Sequence, residues 1–524
     1  QESRDLLQGE LDYITSITGG KGSATSAIDT MRVQLELFLK DPEEISKRLG
    51  SMKNNISALG TWVVDMQDQA LQLDYLYLKS PDVETPEPDT GFWDGLGYQI
   101  ARFFTSFQDK NQKVGAGQEE GRTITVWLNS TINANANGTS AGRDQAQVLK
   151  DMIDEMFTPE TGITVELMLV QGSLIEATLA GTGPDVALFT AEDQPINFAL
   201  RGALQDLSEF DGWEEVKGRF YDSAMAPFEY NGGWYGVPET QLFNMMFYRT
   251  DVFERLGIEP PSTWEEFYNI LPVIQRNNLQ VTTQDLFATL LFQNGGTYYN
   301  DSHTAALLDS TQAVDAMQTY TDLYTQYGFE VKTDFYSRFR SGEVVLSIQP
   351  YNMYNQLVAA APEINGRWDM VPIPGTLRED GSIDRSASSI LTATIMLAEA
   401  EDKQASWEFI EWWSRDEVKA EYGIRIEALL GGSARFTPAN IGTLESLPWP
   451  EEQFTNLQEA MAQLKGIPQI PGSYYTSRAI TNAFRTVVYN DEPVRRVLMK
   501  QNEMINYEID RKREEFGLDR EAGE

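Results

Sequence analysis

The sequence predicts an α/β protein with a mainly parallel sheet, preceded by a helical segment. Three observations support this fold class. From Thr123 onward, short apolar runs alternate with stretches of helical periodicity, which is typical of βαβ units. Before Thr123 the periodicity is helical, and two polar segments rich in Pro or Gly separate the two regions. Finally, the chain has 524 residues, which is too long for one core because domains usually contain about 100–200 residues.

The first 79 residues have a helical hydrophobic pattern. Apolar residues such as Ile28, Met31 and Phe38 recur at helical spacing, and Asp41-Pro42 has the composition of a helix start. The segment 80–91 reads as an acidic, proline-rich linker, followed by an aromatic amphipathic helix at 92–107 and a second linker at 113–122. The sequence therefore predicts helices that precede the α/β region.

The α/β region contains six predicted strands, each bounded by loops or by helical stretches. They are 124–128, 163–170, 183–190, 242–249, 344–349 and 390–398. Helices are predicted at 144–157 and 173–180, between the first three strands. This order favours a sheet whose strands are connected by helices.

A long polar loop follows the first strand of this region. It begins at Asn129, is rich in Asn, Thr, Ser and Gly, and ends where Arg143 opens a helix. Ligands bind beyond the carboxyl ends of parallel strands, and amide and hydroxyl groups match the hydroxyls of a ligand as donors and acceptors. The loop is therefore predicted to line a cleft, with a surface loop of no binding role as the alternative.

Composition excludes several classes of function. The net charge is -38, from 79 acidic and 41 basic residues, so the chain would repel nucleic acid and anionic membranes. There is no Cys, which removes disulfides and zinc–thiolate sites, and His303 is the only histidine. No run of about 18 apolar residues is present to span a bilayer.

Catalytic motifs are absent from the sequence. It has no GxSxG elbow, phosphate-binding loop, HExxH motif or EF-hand loop. The adjacent acids Glu192 and Asp193 could serve glycoside hydrolysis, but adjacent acids are expected by chance among 79. We therefore expect a protein that is not an enzyme and needs no cofactor, while a calcium ion held by scattered carboxylates stays open.

Five segments together resemble the extracellular solute-binding proteins of ABC importers, in the branch that includes maltose-binding protein. They occur in the order of that family, at 124–167, 183–210, 230–267, 339–375 and 467–484. The segment "EIDRKREEFGL" also resembles the large lipid-anchored solute-binding proteins of Gram-positive bacteria. The resemblance does not cover residues 1 to 118.

This resemblance implies a two-lobe periplasmic-binding-protein-like fold with a hinge, plus an N-terminal helical extension. The expected division is a helical extension at 1–118, lobe one at 119–237 and 376–428, and lobe two at 238–375 and 429–524. The ligand would lie between the lobes, which close on it by hinge bending.

The resemblance also implies ligand-binding residues in lobe one and at the junction of the lobes. Asp193, beside Glu192, matches the family's sugar-binding acid best, with a helix cap or turn acid as the alternative. The position of the family's stacking aromatic falls on Phe189 or Thr190. Tyr235 and Glu239 lie near the expected hinge, where packing and hinge roles are the alternatives. Ser388 precedes a strand that returns to lobe one, and Asn129 and Arg143 flank the polar loop, although Arg143 could equally be an exposed first-turn residue.

In lobe two the implied contacts are mainly aromatic. Tyr351 lies at the family's aromatic platform, and Tyr474, with Tyr475 beside it, lies at the aromatic of the last motif; Arg478 keeps the family's arginine. Flat aromatic rings suit the C–H face of a pyranose, and carboxylates and Arg suit its hydroxyls. Ordinary packing is the alternative for each tyrosine.

The resemblance thus predicts a monomeric extracellular receptor, lipid-anchored at the cell surface. It would capture a small solute, expected to be a carbohydrate, and deliver it to an ABC permease in the membrane. A sensor for another solute such as a peptide or polyamine, a polysaccharide-acting enzyme and a structural surface protein are the alternatives.

Overall fold

The computed structural model describes residues 2–18, 26–40, 45, 111–113, 122–129, 142–170, 174–179 and 181–518. Three expected features lie outside the described residues: the linker at 80–91, the aromatic helix at 92–107 and most of the polar loop after Asn129. The chain divides into two compact units, one formed by 1–101 and 332–344, and the other by 102–331 and 345–524.

The first unit is helical in its described part, as the sequence predicts. Helices α1 (Glu2–Thr18) and α2 (Ser26–Lys40) contribute buried apolar side chains, among them Leu11, Ile28 and Met31. The segment 332–344, which the sequence analysis assigns to lobe two, belongs to this unit.

The second unit combines one large sheet with many helices. Its strands are β1 (Asn111–Lys113), β2 (Thr123–Asn129), β3 (Thr164–Val170), β4 (Val186–Ala191), β5 (Glu229–Tyr230), β6 (Gly233–Trp234), β7 (Val237–Tyr248), β8 (Gln280–Thr283), β9 (Val344–Pro350), β10 (Asp369–Val371), β11 (Thr376–Leu377), β12 (Ile383–Asp384) and β13 (Ser389–Met396). The first residue of β9 belongs to the first unit. The remaining helices of the described chain, all in this unit except α13, are α3 (Arg143–Met152), α4 (Thr158–Thr161), α5 (Leu174–Leu179), α6 (Pro195–Ala199), α7 (Trp213–Lys217), α8 (Asp222–Met225), α9 (Thr250–Leu256), α10 (Trp264–Arg276), α11 (Phe287–Gln293), α12 (Thr311–Thr325), α13 (Phe335–Ser341), α14 (Met353–Ala360), α15 (Lys403–Trp413), α16 (Asp416–Leu430), α17 (Ile441–Ser446), α18 (Glu451–Met461), α19 (Tyr474–Asn490) and α20 (Val494–Glu515).

The large sheet is mixed rather than mainly parallel. Its strand order is β1-β3-β2-β4-β13-β7-β9-β8, and β10 also pairs with β7. Strand β2 pairs in parallel with β3 and β4, as the βαβ pattern predicts. However, β13 runs antiparallel to both β4 and β7, and β7 runs antiparallel to β9. The prediction of a mainly parallel sheet is therefore wrong beyond β4, because later strands enter the sheet in the reverse direction.

Two long strands connect the halves of this sheet. Residues 237–243 of β7 pair with β13, whereas residues 244–248 pair with β9. On its other edge β13 pairs with β4. Strands β7 and β13 therefore cross from the part of the sheet built by β2–β4 to the part built by β8–β10.

An aromatic core supports the β2–β4 half. The ring of Phe157 meets that of Phe409 edge-on, with centroids 5.4 Å apart, and lies 5.2 Å from the ring of Trp412. All three side chains are buried in one cluster with the apolar residues of β2, β3 and β4. Because a buried aromatic removes a large apolar area from water, this packing stabilises the part of the sheet built by β2, β3 and β4.

No helix among the residues with assigned structure is long and apolar enough to cross a membrane.

Candidate ligand-binding site

A cavity of about 330 Å³ lies where several strand ends of the large sheet meet. Strands β4 and β9 end at it, β13 begins at it, and the middle of β7 runs along it. Its wall consists of Glu192, Leu242, Phe243, Asn244, Gln284, Asp285, Ala288, Tyr298, Pro350, Ser388, Ser389, Ile390, Ile467 and Ser477. The volume lies at the lower end of the range of small-molecule sites.

The wall combines apolar side chains with groups that form hydrogen bonds. The side chain of Ile390 is 55% exposed, although isoleucine is usually buried. Nearby, Gln241 Nε2 donates a 2.9 Å hydrogen bond to Ser389 Oγ, and Gln284 Nε2 donates a 2.8 Å bond to Gln349 Oε1. These bonds orient polar groups at the wall before any ligand binds.

Two carboxyl groups of the wall are perturbed by their surroundings. Glu192 follows β4, and its Oε2 accepts a 2.8 Å hydrogen bond from the Leu391 N–H. Burial, with a further contribution from the charge of Asp193, raises the pKa of Glu192 to about 7. Loss of solvation also raises the pKa of Asp285. Its Oδ1 accepts a 2.9 Å hydrogen bond from the Phe287 N–H, which opposes this rise.

Tyr298 joins these acids electrostatically. Burial raises the pKa of Tyr298 well above its ordinary value, and the charges of Asp285 and Glu192 contribute to the rise. The ring of Tyr298 meets that of Phe287 edge-on at 6.0 Å. Acids from two parts of the sheet therefore lie near the same tyrosine, and among the described residues the wall includes neither Lys nor Arg.

Two of the predicted site residues line this cavity: Glu192 and Ser388. Three others, Arg143, Asp193 and Arg478, are exposed and lie outside its wall. The ligand contacts predicted for these three stay predictions.

Phe189 and Glu239 lie in the core instead. Glu239 is 1% exposed, and it accepts hydrogen bonds from the Phe189 N–H and, at 2.6 Å, from Trp413 Nε1. It also forms an ion pair with Lys419 at 3.4 Å. Since a buried carboxylate needs such partners, Glu239 and the Phe189 backbone are occupied with each other, and neither side chain reaches the cavity wall.

The predicted aromatic contacts are distributed over different environments. Tyr351 is 1% exposed, packs on Phe243 with centroids 4.7 Å apart, and donates a 3.2 Å hydrogen bond to the Gln241 carbonyl. Tyr474, 43% exposed, donates to Glu508. Thus Tyr351 supports the wall from behind through Phe243.

The remaining predicted residues lie in other parts of the described structure. Tyr235 is half-buried and packs against a cluster that includes Trp127 and Leu204. Tyr475 is half-buried in the first turn of α19. Asn129 is the last residue of β2, where its backbone pairs with Val170.

Sequence reasoning missed Asn244, Gln284, Asp285 and Tyr298. Asp285 follows the short strand β8, whose sequence "QVTT" has little apolar character. The strand-end rule, which the sequence analysis applies to the polar loop after the first strand, would have found Asp285 if β8 had been recognised. Asn244 lies in the apolar β7, two residues after Leu242, so both side chains point to the same face.

Strand ends from both halves of the sheet enclose the cavity, and crossing strands join the two halves. This arrangement is that of a two-lobe binding protein. The profile of the bacterial extracellular solute-binding protein family matches residues 153–427, more than half of the chain. The chain belongs to this family.

Individual relatives are distant in sequence. The chain is 22% identical over 346 residues to an arabinooligosaccharide-binding protein of Halalkalibacterium halodurans, covering 62% of this chain and 75% of that protein. It is 28% identical over 186 residues to a diacetylchitobiose binding protein of Streptomyces coelicolor, covering 34% of this chain and 40% of the relative. The sugar-binding protein MalE of Xanthomonas citri has a similar fold, with a TM-score of 0.63, 17% identity, and coverage of 75% of this chain and 99% of MalE.

Proposed function

We propose that this protein captures a sugar or oligosaccharide outside the cell, in the cavity at the crossing strands, and delivers it to an ABC permease. The observation that carries the proposal is the composition of the cavity wall. Exposed apolar groups such as Ile390 lie beside the acids Glu192 and Asp285 and the hydroxyls of Ser388 and Ser389.

This composition matches the two kinds of surface on a sugar. The C–H groups of a sugar ring pack on apolar and aromatic side chains, here Ile390 and Tyr298. Its hydroxyls donate to carboxylates, which accept more than one hydrogen bond. A wall with acids and without Lys or Arg disfavours anionic solutes, so a neutral solute fits best.

The named ligands of relatives support the sugar class. One relative is an arabinooligosaccharide-binding protein, and another is a diacetylchitobiose binding protein. A structural neighbour is a cyclo/maltodextrin-binding protein complexed with maltotetraose, with a TM-score of 0.58 and 18% identity. Family and neighbours are binding proteins, which favours capture without chemical change of the solute.

Closure of the lobes would couple capture to delivery. With the lobe boundaries predicted from the sequence, Glu192 and Ser388 belong to lobe one, whereas Asn244, Asp285 and Tyr298 belong to lobe two. A ligand that contacts both lobes stabilises the closed state by the contacts made only there. Closure is also the motion that would bring exposed predicted residues, such as Asp193 and Arg478, toward the ligand.

The remaining features of the proposal are cell-surface attachment by a lipid anchor, a monomeric state and a docking role for the N-terminal helices. A sensor with the same fold would bind its solute without import, because fold does not determine function. Copurification with a permease discriminates the two: an importer subunit retains the permease, and a sensor does not.

A thermal-shift screen tests the sugar class. The panel contains mono- and oligosaccharides, amino acids, peptides and polyamines. A ligand at about 100 times its dissociation constant stabilises the fold by roughly 2.7 kcal/mol, which raises the melting temperature by a few degrees. We expect the melting temperature to rise with one sugar class, and we expect that sugar to be recovered chemically unchanged. Shifts with peptides or polyamines alone would contradict the sugar, and released product would indicate an enzyme.

A further inference from the structure

A second cavity, of about 270 Å³, lies beside the first. Its wall comes from the loop that follows α11, between Gly295 and His303, and from the segment 465–468. All of these residues belong to the predicted lobe two, so its shape does not depend on lobe closure. None of the predicted ligand contacts lies in it.

The two cavities are adjacent because they share part of their walls. Tyr298 and Ile467 line both. A solute held against Tyr298 in the first cavity therefore contacts a side chain that also lines the second. The two cavities meet at these two side chains.

Hydrogen bonds hold the loop of the second cavity in place. Tyr299 donates a 2.9 Å bond from its hydroxyl to Thr476 Oγ1, one residue before Ser477, which lines the first cavity. Within the loop, Asn300 Oδ1 accepts from the Thr304 N–H at 2.8 Å and from the Ala305 N–H at 3.0 Å. A wall organised before binding loses little conformational entropy when a ligand enters.

Two glycines fit the loop closely to α11. Gly295 has φ +74, which favours glycine, and a Cβ at Gly296 would lie 2.4 Å from Leu291 Cδ1. Larger residues are therefore excluded here, and the backbone itself forms part of the wall. A wall of peptide groups and hydroxyls bonds to hydroxyls of a solute without requiring a charge.

The hydrogen-bonding groups of the two cavities differ. The first contains the acids Glu192 and Asp285, whereas the second contains Lys465, Asp301 and the imidazole of His303. A solute that fills both must therefore both donate and accept hydrogen bonds. Sugar hydroxyls do both, so a chain of sugar units satisfies each cavity in turn.

We propose that the ligand is an oligosaccharide whose chain passes Tyr298 and continues into the second cavity, so that the protein prefers long saccharides to short ones. This inference rests on the proposed sugar-binding function. The first cavity alone would hold the short saccharide, and the second adds affinity only for chains that extend beyond it.

Isothermal titration calorimetry with saccharides of increasing length tests this preference. The probes are arabino-, chito- and malto-oligosaccharides, each from the monosaccharide upward. For the series that binds, we expect the affinity to rise at least about tenfold once the chain is long enough to pass Tyr298. Equal affinity for short and long members would overturn the inference while leaving sugar capture intact; no binding by any series would overturn both.

Filling the second cavity provides a matched comparison. Lys465 is exposed, and its backbone N–H, not its side chain, bonds to the Ala387 carbonyl at 2.8 Å. Lys465→Trp should reduce the affinity for long chains to that for short ones and leave short-chain affinity within about twofold. Lys500→Trp, at an exposed position of α20 outside both walls, should keep the full length dependence. Unchanged affinity of Lys465→Trp for long chains would contradict the proposal. If this variant does not fold, the dependence of affinity on saccharide length in the unmodified protein decides whether the second cavity takes part in binding.

Discussion

At the scale of single residues, Glu192 is the acid of the cavity wall whose pKa is displaced to about 7. Burial raises its pKa from 4.5 to about 7. Between these values the folded protein binds more protons at this position than the unfolded chain does. The contribution of Glu192 to the free energy of unfolding is thus fully present below pH 4.5 and is lost as pH rises through 7.

Glu192→Gln tests this dependence. We expect the unfolding free energy of the unmodified protein, relative to that of Glu192→Gln, to fall between pH 4.5 and 7 and to be constant above that window. Urea denaturation at a series of pH values measures the difference. Glu254→Gln, at an exposed position, is the control and should give parallel curves. Parallel curves for Glu192→Gln as well would show that burial does not perturb this carboxyl.

The ion pair of Lys419 with Glu239 illustrates a different role for a buried charge. Burial lowers the pKa of Lys419 to about 8, while the charge of Glu239 opposes this effect. The Lys419 ammonium also lies 3.7 Å from the centre of the Trp413 ring. These contacts stabilise the buried charge, and Glu239 of β7 also accepts a hydrogen bond from the Phe189 N–H of β4, so we assign the pair to the support of β4 and β7.

Lys419→Met should be strongly destabilising because it leaves the Glu239 carboxylate buried without its cation. The expected loss in the free energy of unfolding is about 3–5 kcal/mol. The double variant Lys419→Met/Glu239→Gln should lose less than the sum of the two single variants. Chemical denaturation of all four proteins measures this coupling; additive losses would contradict a direct interaction.

At the scale of the elements, strands β7 and β13 form the connection on which the account of closure depends. Between them, Thr240 Oγ1 and Thr392 Oγ1 form a buried hydrogen bond of 2.7 Å. The two residues are directly paired where β7 and β13 run side by side, and neither lines the cavity.

Replacing one of these threonines by valine should cost more than replacing both. Thr240→Val leaves the Thr392 hydroxyl buried without its partner, with an expected cost of about 1–3 kcal/mol. The double variant Thr240→Val/Thr392→Val removes both polar groups and should recover most of this loss. The midpoints of urea denaturation check the order, and a double variant less stable than either single one would contradict it.

The predictability of each element depended on its apolar content. The strands β2, β3 and β4 were predicted closely because each is a short apolar run bounded by polar residues. Strand β7 begins at Val237, five residues before the predicted strand, because buried polar residues such as Glu239 and Gln241 hid its start. Strand β8 was missed because "QVTT" has no strong apolar periodicity.

At the scale of the whole molecule, the residues of the cavity wall are too far apart in sequence to be found from short motifs. The cavity wall draws on residues from Glu192 to Ser477, so its members are brought together only by the sheet order. Glu192 and Ser388 could be predicted because they flank recognised strands. The platform role of Tyr351 stays a prediction; Phe243, on which its ring packs, lines the cavity and can be located only from the pairing of β7.

The family and the fold agree with the chemistry of the site. A net charge of -38 and the lack of Lys and Arg among the described residues of the wall both disfavour anionic solutes. A neutral saccharide is therefore the solute that we propose for this cavity.

Calorimetric titration of one oligosaccharide into the unmodified protein and into Asp285→Asn tests whether a saccharide binds in this cavity. Asp285 lines the cavity, and loss of a charge-assisted hydrogen bond should weaken binding by about tenfold or more. Glu254→Gln, at an exposed position outside the wall, should bind as the unmodified protein does. Weaker binding in Asp285→Asn alone would place the sugar in the cavity; equal affinity in all three proteins would contradict the assigned site, and the absence of heat with every sugar tested would contradict the function.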